Sequence, residues 1–272
     1  MLQIAKGNHF YPFQPDFEMN TGYYVEYKQM DIENHSTVVF YQFQICDGFE
    51  NEISVIPDGC IDILISCNKQ IPSANVCGSV LKTKRIKVQT GCEYFGVRFV
   101  PEQMAKNSNY TMKELVEQEI PLNEIVSINE SVIERLIKEN SFQKRISLFH
   151  QMFDSIFFPN ESAPNIVRYA LNKIYSRKGN ISINELADKI GYSSRYLRKK
   201  FEESVGISPK LFSQIIRFQH SLHMILKVNN NSVNDIIMEN GYYDQAHLIN
   251  EFRKFGYPSP YKLQKKSSNT FF

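Results

Sequence analysis

The sequence predicts an α+β fold in two parts: an N-terminal β-barrel or sandwich with a helical tail, and a C-terminal all-α domain in which a long helix joins two helix-turn-helix units. Three observations lead to this prediction. The period of the apolar residues changes from strand-like to helical near Pro101, the charge is divided unevenly, and one pattern occurs twice in the second half. The length of 272 residues also favours two domains, because a single core seldom grows beyond roughly 250 residues.

Short apolar segments of strand-like composition fill much of the first hundred residues, and turn-forming pairs such as Asp47-Gly48 separate them. Strands are predicted for residues 37–45, 53–56, 61–67, 85–88 and 94–100. Helical spacing then predicts helices for residues 111–119, 129–138 and 143–157. Two prolines interrupt the helical pattern in residues 158–164, which we interpret as a linker between a domain of residues 1–157 and one of residues 165–272.

Positive charge is concentrated in the second half of the chain. Residues 1–159 carry 14 Lys and Arg against 20 Asp and Glu, whereas residues 160–272 carry 17 against 9, a net charge of +8. Such an excess is the electrostatic footprint of a module that binds polyanions. A basic surface that is merely solvated is the alternative.

The cysteines and the apolar runs exclude several classes of protein. Five cysteines lie in the acidic half: Cys46, Cys60, Cys67, Cys77 and Cys92. Their odd number and the lack of a CxxC pair argue against a disulfide framework or a structural zinc site, so buried free thiols are expected. No apolar run approaches the roughly 18 residues that span a bilayer, and we expect a cytoplasmic protein.

The most informative feature is a repeat in the basic half. Residues 182–192 (SINELADKIGY) recur as residues 232–242 (SVNDIIMENGY). Each copy begins with a Ser followed three residues later by an acid, the capping-box arrangement, and ends near a Gly suited to a left-handed C-cap. A second helix is predicted after each Gly, over residues 194–204 and 244–255, which completes a helix-turn-helix pattern. Two copies are too few for a helical solenoid.

A long helix is predicted between the two units, over residues 209–228. About 19 helical residues span roughly 28 Å, close to the roughly 34 Å turn of B-DNA. A connector of this length can place two recognition helices in successive major grooves on one face of a duplex.

The basic half resembles the DNA-binding domain of AraC/XylS-type transcription regulators. The resemblance rests on residues 183–187 (INELA), 191–193 (GYS), 196–201 (YLRKKF), 206–209 (GISP), 241–248 (GYYDQAHL), 252–255 (FRKF) and 259–260 (SP). It implies double-stranded DNA as partner, contact with RNA polymerase, no cofactor, and a homodimer through the helices of residues 129–157. The apolar stripes of those helices can equally pack on the β domain of the same chain.

The acidic half carries a weaker likeness to an N-terminal domain of some members of this family, in residues 57–62 (PDGCID), 77–79 (CGS), 96–99 (GVRF) and 121–122 (PL). The likeness implies a sensory domain with a cupin-like β fold and control by a small-molecule effector. Whether the protein activates or represses is left open.

The predicted DNA-contacting residues lie on the second helix of each unit. Arg195, Arg198 and Lys199 share one polar stripe; an Arg guanidinium matches the O6 and N7 edge of guanine, whereas Lys199 is as well placed for phosphate. On the later helix, Gln245 and Asn250 suit adenine, and Arg253 extends the stripe. A solvated face would show the same pattern.

Three charged residues of the predicted strands form a candidate ligand site: Asp58, Asp62 and Arg98. Because an unpaired buried charge is costly, they either pair with one another, the favoured interpretation, or face a pocket. Catalytic motifs are absent, so no enzyme is expected. The alternative, an enzymatic or thiol-sensing N-terminal domain, has only Cys60 and Cys92 as nucleophiles. The pair His220 and His223 lacks a third metal ligand.

Overall fold

The computed structural model describes residues 10–31, 36–68, 70–101, 108–127, 130–157, 165–227 and 232–269. The N-terminal half holds eight strands: β1 (Tyr23–Asp31), β2 (Ser36–Gln44), β3 (Glu52–Val55), β4 (Ile61–Ser66), β5 (Ser73–Cys77), β6 (Lys84–Lys87), β7 (Glu93–Phe99) and β8 (Glu119–Pro121). Six of them form an antiparallel sheet in the order β1-β2-β7-β4-β5-β8, and β3 pairs with β6. The described strands form two sandwich-like sheets and no closed barrel.

Five helices belong to this half: α1 (Pro15–Met19), α2 (Met112–Leu115), α3 (Leu122–Ile125), α4 (Glu130–Lys138) and α5 (Phe142–Phe157). The C-terminal half is helical throughout its described elements: α6 (Asn165–Ser176), α7 (Ile183–Ile190), α8 (Ser194–Val205), α9 (Pro209–Lys227), α10 (Val233–Asn240), α11 (Gln245–Lys254) and α12 (Pro260–Asn269). The predicted linker of residues 158–164 lies outside the described residues.

All five predicted strands are present, but the helix predicted for residues 111–119 is wrong. Helix α2 makes a single turn, and Glu117 then takes a left-handed conformation with φ of 63°. The chain continues as β8, which pairs with β5. Tertiary pairing therefore overrides the helical spacing of this segment, and β1, β5 and β8 were not predicted.

Helix α5 packs on the large sheet of its own chain. Phe149, Phe153 and Phe157 are buried there. The guanidinium of Arg145 is also buried, where it donates to Gln42 Oε1 (2.6 Å) and to the carbonyl of Leu136 (3.1 Å). The inner apolar stripe of α5 thus fills the intrachain core, which is the alternative that the sequence left open beside a dimer interface.

The two halves share one apolar core. Phe10 is buried and stacks on Tyr175, with ring centroids 5.3 Å apart. The side chain of Gln219, on α9, accepts a hydrogen bond from Phe13 N (2.8 Å) and donates one to Pro57 O (2.7 Å). The helix that joins the two helix-turn-helix units is therefore in direct contact with the N-terminal half.

This interface predicts a pH-dependent stability through His220. Burial, with nearby Lys178 and His223, lowers the pKa of His220 to about 4, so the folded protein holds a neutral imidazole where the unfolded chain titrates near the usual value of about 6.5. Stability is thus retained above about pH 6.5 and lost as the pH falls toward 4; at pH 5 the loss is about 2 kcal/mol. Urea unfolding at pH 7 and pH 5 should show a smaller drop for His220→Phe than for the wild type. Equal drops would contradict the assignment.

Candidate nucleic-acid interface

The first helix-turn-helix unit consists of α7 and α8. Ser182 caps α7 by accepting a hydrogen bond from Glu185 N (3.1 Å), and Gly191 ends the helix with φ of 75°. Ser193 caps α8 by accepting from Tyr196 N (3.2 Å). The predicted start and stop of the short helix are confirmed, although the full reciprocal capping box does not form here.

The second unit consists of α10 and α11. Ser232 and Asp235 form the reciprocal capping box: Asp235 N donates to Ser232 Oγ (3.2 Å) and Ser232 N donates to Asp235 Oδ2 (2.8 Å). Gly241 ends α10 with φ of 68°, and Asp244 caps α11 by accepting from His247 N (2.7 Å). The repeat in the sequence is thus a repeat in the structure.

These caps predict a measurable loss of stability. Ser232→Ala removes the acceptor of an otherwise unpaired helix amide and should cost about 1 kcal/mol in the free energy of unfolding, measured in urea. Ser204→Ala, inside α8, is the matched control and should stay within about 0.5 kcal/mol of the wild type. Equal effects of the two changes would mean that the cap contributes nothing.

The exposed face of α8 carries three cationic side chains. Arg195, Arg198 and Lys199 are exposed, whereas Leu197 and Phe201 on the opposite face are buried. Among the described residues, neither guanidinium has a hydrogen bond or an ion pair; Lys199 Nζ lies 3.9 Å from Glu203 Oε1. Arg195 and Arg198 therefore present all their donors to the surroundings.

The exposed face of α11 is already partly hydrogen-bonded. Gln245 Oε1 accepts from the Tyr261 hydroxyl (2.8 Å), and Arg253 Nη1 donates to Asn250 Oδ1 (3.4 Å). Gln245, Asn250 and Arg253 are all exposed. A DNA base that binds here has to displace or share these hydrogen bonds, which is not so on α8.

A buried polar network holds α11 against α9. Arg217 Nε donates to Glu251 Oε1 (2.9 Å), a second guanidinium nitrogen pairs with Oε2, and the Tyr242 hydroxyl donates to Oε1 (2.8 Å). Desolvation lowers the pKa of Arg217, but its hydrogen bond and charge interaction with Glu251 outweigh this effect and raise the pKa above the ordinary value. The His247 ring packs edge-on against Tyr242, so His247 belongs to this scaffold.

Exposed tyrosines flank both units, and sequence reasoning did not identify them. Tyr192 and Tyr196 are 52% and 41% exposed and stack with their ring centroids 5.1 Å apart; Tyr243 is 91% exposed. Exposed aromatic rings next to unpaired cations are a feature of nucleic-acid surfaces. The i, i+4 spacing of Tyr192 and Tyr196 around the cap of α8 was the available signal.

In the N-terminal half, the three predicted charged residues lie together. Arg98 Nε donates to Asp62 Oδ1 (2.9 Å) and lies 3.5 Å from Asp58 Oδ2, and the Tyr41 hydroxyl donates to Asp62 Oδ1 (2.9 Å). Burial raises the pKa of Asp62, although the positive charge of Arg98 opposes that shift. The favoured internal pairing is present, and all three residues also line a pocket.

Thiol and metal chemistry find little support in the described residues. All five cysteines are free, and burial raises the pKa of the Cys60 thiol well above its ordinary value, which disfavours the reactive thiolate. In the part of the chain that the structure describes, no group of three His, Cys, Asp or Glu side chains is placed to hold a metal ion. None of the described helices is both long and apolar enough to cross a membrane.

Comparison with known families assigns a description to both halves. The profile of the helix-turn-helix domain family matches residues 186–266, and that of a domain of unknown function, DUF6597, matches residues 19–121. An uncharacterized HTH-type transcriptional regulator of Staphylococcus aureus strain MSSA476 is 30% identical over 80 residues, which cover 29% of this chain and 11% of that relative. The chain thus spans only about a tenth of the length of the curated relatives it matches.

Solved structures give a similar picture. ToxT from Vibrio cholerae is 12% identical with a TM-score of 0.42, over 89% of this chain and 97% of ToxT. A DNA-binding transcriptional dual regulator from Escherichia coli K-12 is 22% identical with a TM-score of 0.33, over 38% of this chain and 98% of that regulator.

Proposed function

Because residues 186–266 form a helix-turn-helix domain of the AraC/XylS type, we propose that the chain is a DNA-binding transcription regulator whose helices α8 and α11 enter successive major grooves. The connector α9 has 19 residues and so spans roughly 28 Å, near the roughly 34 Å repeat of the duplex. A single chain then reads two neighbouring half-sites that need not be identical.

The observation that carries this proposal is the exposed face of α8. Two guanidinium groups without partners in the described protein stand beside Lys199, and the other face of the helix is anchored in the core. An Arg fork matches guanine in the major groove, while Lys199 and Arg253 suit phosphate. Gln245 and Asn250 are the adenine readers of the second site.

Control by a small molecule in the N-terminal half completes the proposed function. The pocket lined by Asp58, Asp62 and Arg98, and the contact of the N-terminal half with α9, support this role. The homodimer and the contact with RNA polymerase remain predictions from the family resemblance.

The test measures binding of the full chain to duplexes selected from random DNA and to scrambled duplexes, at several salt concentrations. We expect preference for the selected duplexes and an affinity that falls steeply with salt, because neutralised phosphates release counterions. The double change Arg195→Gln with Arg198→Gln should abolish the preference, whereas Lys138→Gln, on α4, should leave it intact. Weak, salt-independent binding without preference would overturn the proposal.

A further inference from the structure

A pocket in the N-terminal half has mainly apolar walls and a polar floor. Phe17, Leu64 and Ile86 contribute to the walls, and Asp62 and Arg98 line the same space. Pockets of this composition, with few polar groups among apolar walls, are the usual form of small-molecule sites.

The floor of the pocket holds hydrogen-bonding capacity that the described protein leaves unused. The Arg98 side chain is 5% exposed and uses only Nε toward Asp58 and Asp62; its two terminal nitrogens have no hydrogen-bond partner in the described ranges. The carboxylate of Asp62 is 14% exposed and accepts from Arg98 and Tyr41. Buried polar groups normally find partners, so these atoms point to a ligand.

The charge of the floor selects the ligand. Two carboxylates face one guanidinium, which disfavours a second full negative charge, and Arg98 disfavours a positive one. We propose that the pocket binds a small neutral molecule with an apolar body and a head group, such as a primary amide, that accepts from Arg98 and donates to Asp62. This inference rests on the proposed function and names the effector class of that regulator.

The segments that line the pocket also hold the C-terminal half. Gly59, between the lining residues Asp58 and Cys60, packs on α9: a Cβ atom added there would lie 2.6 Å from the Phe212 ring. Thr83, next to the lining residue Lys84, donates from N and from Oγ1 to the carbonyl of Phe255, both at 2.8 Å. That carbonyl lies just beyond the end of α11.

A third segment reaches the first recognition helix. Gly206, which ends α8, lies so close to α2 that an added Cβ would be 2.5 Å from the carbonyl oxygen of Met112. Glu117, a lining residue, follows α2 by two residues. A ligand that shifts the pocket segments therefore changes how α8, α9 and α11 are held, and with them the spacing of the two recognition helices.

The binding test uses the full chain and three probes of similar size: benzamide, benzoate and benzylamine, whose heads are neutral, anionic and cationic at pH 7. Isothermal titration should show the tightest binding for benzamide, by at least tenfold. Asp62→Asn, which replaces the acceptor by a donor, and Val80→Phe, which fills the half-buried wall, should each weaken benzamide at least tenfold, with folding checked by thermal melting. No binding, or equal binding of all three probes, would overturn the ligand class.

The coupling test measures the affinity of the full chain for its selected duplex with and without saturating benzamide. We expect a change of at least threefold, and by linkage DNA should change benzamide affinity by the same factor. Gln219→Leu, which removes the hydrogen bonds between α9 and the N-terminal half, should reduce this factor while benzamide still binds. DNA binding that benzamide does not alter would overturn the coupling, whereas loss of DNA binding altogether would instead refute the proposed function.

Discussion

Replacing Glu251 by Ala is expected to destabilise the second helix-turn-helix unit by about 3 to 5 kcal/mol, because it leaves the largely buried Arg217 guanidinium without its counter-charge. Glu251 is 4% exposed and also accepts the hydrogen bond of the buried Tyr242 hydroxyl. Urea unfolding of the full chain, followed by circular dichroism, measures the loss. DNA affinity should fall with it, since α11 loses its attachment to α9.

The matched control is Glu203→Ala on α8. Glu203 pairs with Lys200 at 2.8 Å on the surface, where such pairs contribute at most about 1 kcal/mol. A loss for Glu251→Ala as small as that for Glu203→Ala would show that the Arg217 pair does not hold the second unit.

Arg198→Ala is expected to reduce sequence discrimination more than Asn250→Ala does. The Arg198 guanidinium has no partner in the described protein and can give both donors of its fork to a base, whereas Asn250 Oδ1 already accepts from Arg253. Loss of a bidentate contact costs roughly 1 to 3 kcal/mol of discrimination at one or two base pairs, and non-specific affinity should hardly change.

Both variants are titrated against the selected duplex and against scrambled DNA. If Arg198 contacts phosphate instead, affinity falls about equally on all sequences and the salt slope shrinks by about one unit. A larger loss of discrimination for Asn250→Ala would make α11 the principal reader and would contradict the assignment of the two helices.

Local chemistry made the C-terminal half largely predictable. Ser182, Gly191, Ser232 and Gly241 each set a helix end through a hydrogen bond to a neighbouring amide or a left-handed φ, and these effects act within a few residues. The exposure of the polar stripes on α8 and α11 followed in the same way from helical periodicity. The missed helix α12 begins at Ser259-Pro260, the same pair type that opens α9, so a local signal existed there.

The N-terminal half was less predictable because its elements depend on distant partners. Strand β8 forms only where β5 offers an edge, and so the sequence favoured a helix in residues 111–119. The sequence required Asp58, Asp62 and Arg98 to have partners, since burial of an unpaired charge is costly. Only the sheet register, which places Asp62 opposite Arg98, decided that they pair with one another and still line a pocket.

The two Gly-Tyr pairs of the repeat show most clearly what each level decides. The sequence by itself determined two equivalent helix-turn-helix units, with Tyr192 and Tyr242 at the same position after the Gly. The tertiary structure buries Tyr242, 5% exposed, against Arg217 and Glu251, and leaves Tyr192 52% exposed beside Tyr196. The backbone conformation of each unit depends on its own residues, but the burial of a side chain depends on which helix packs beside it, and α9 supplies a buried ion pair to the second unit.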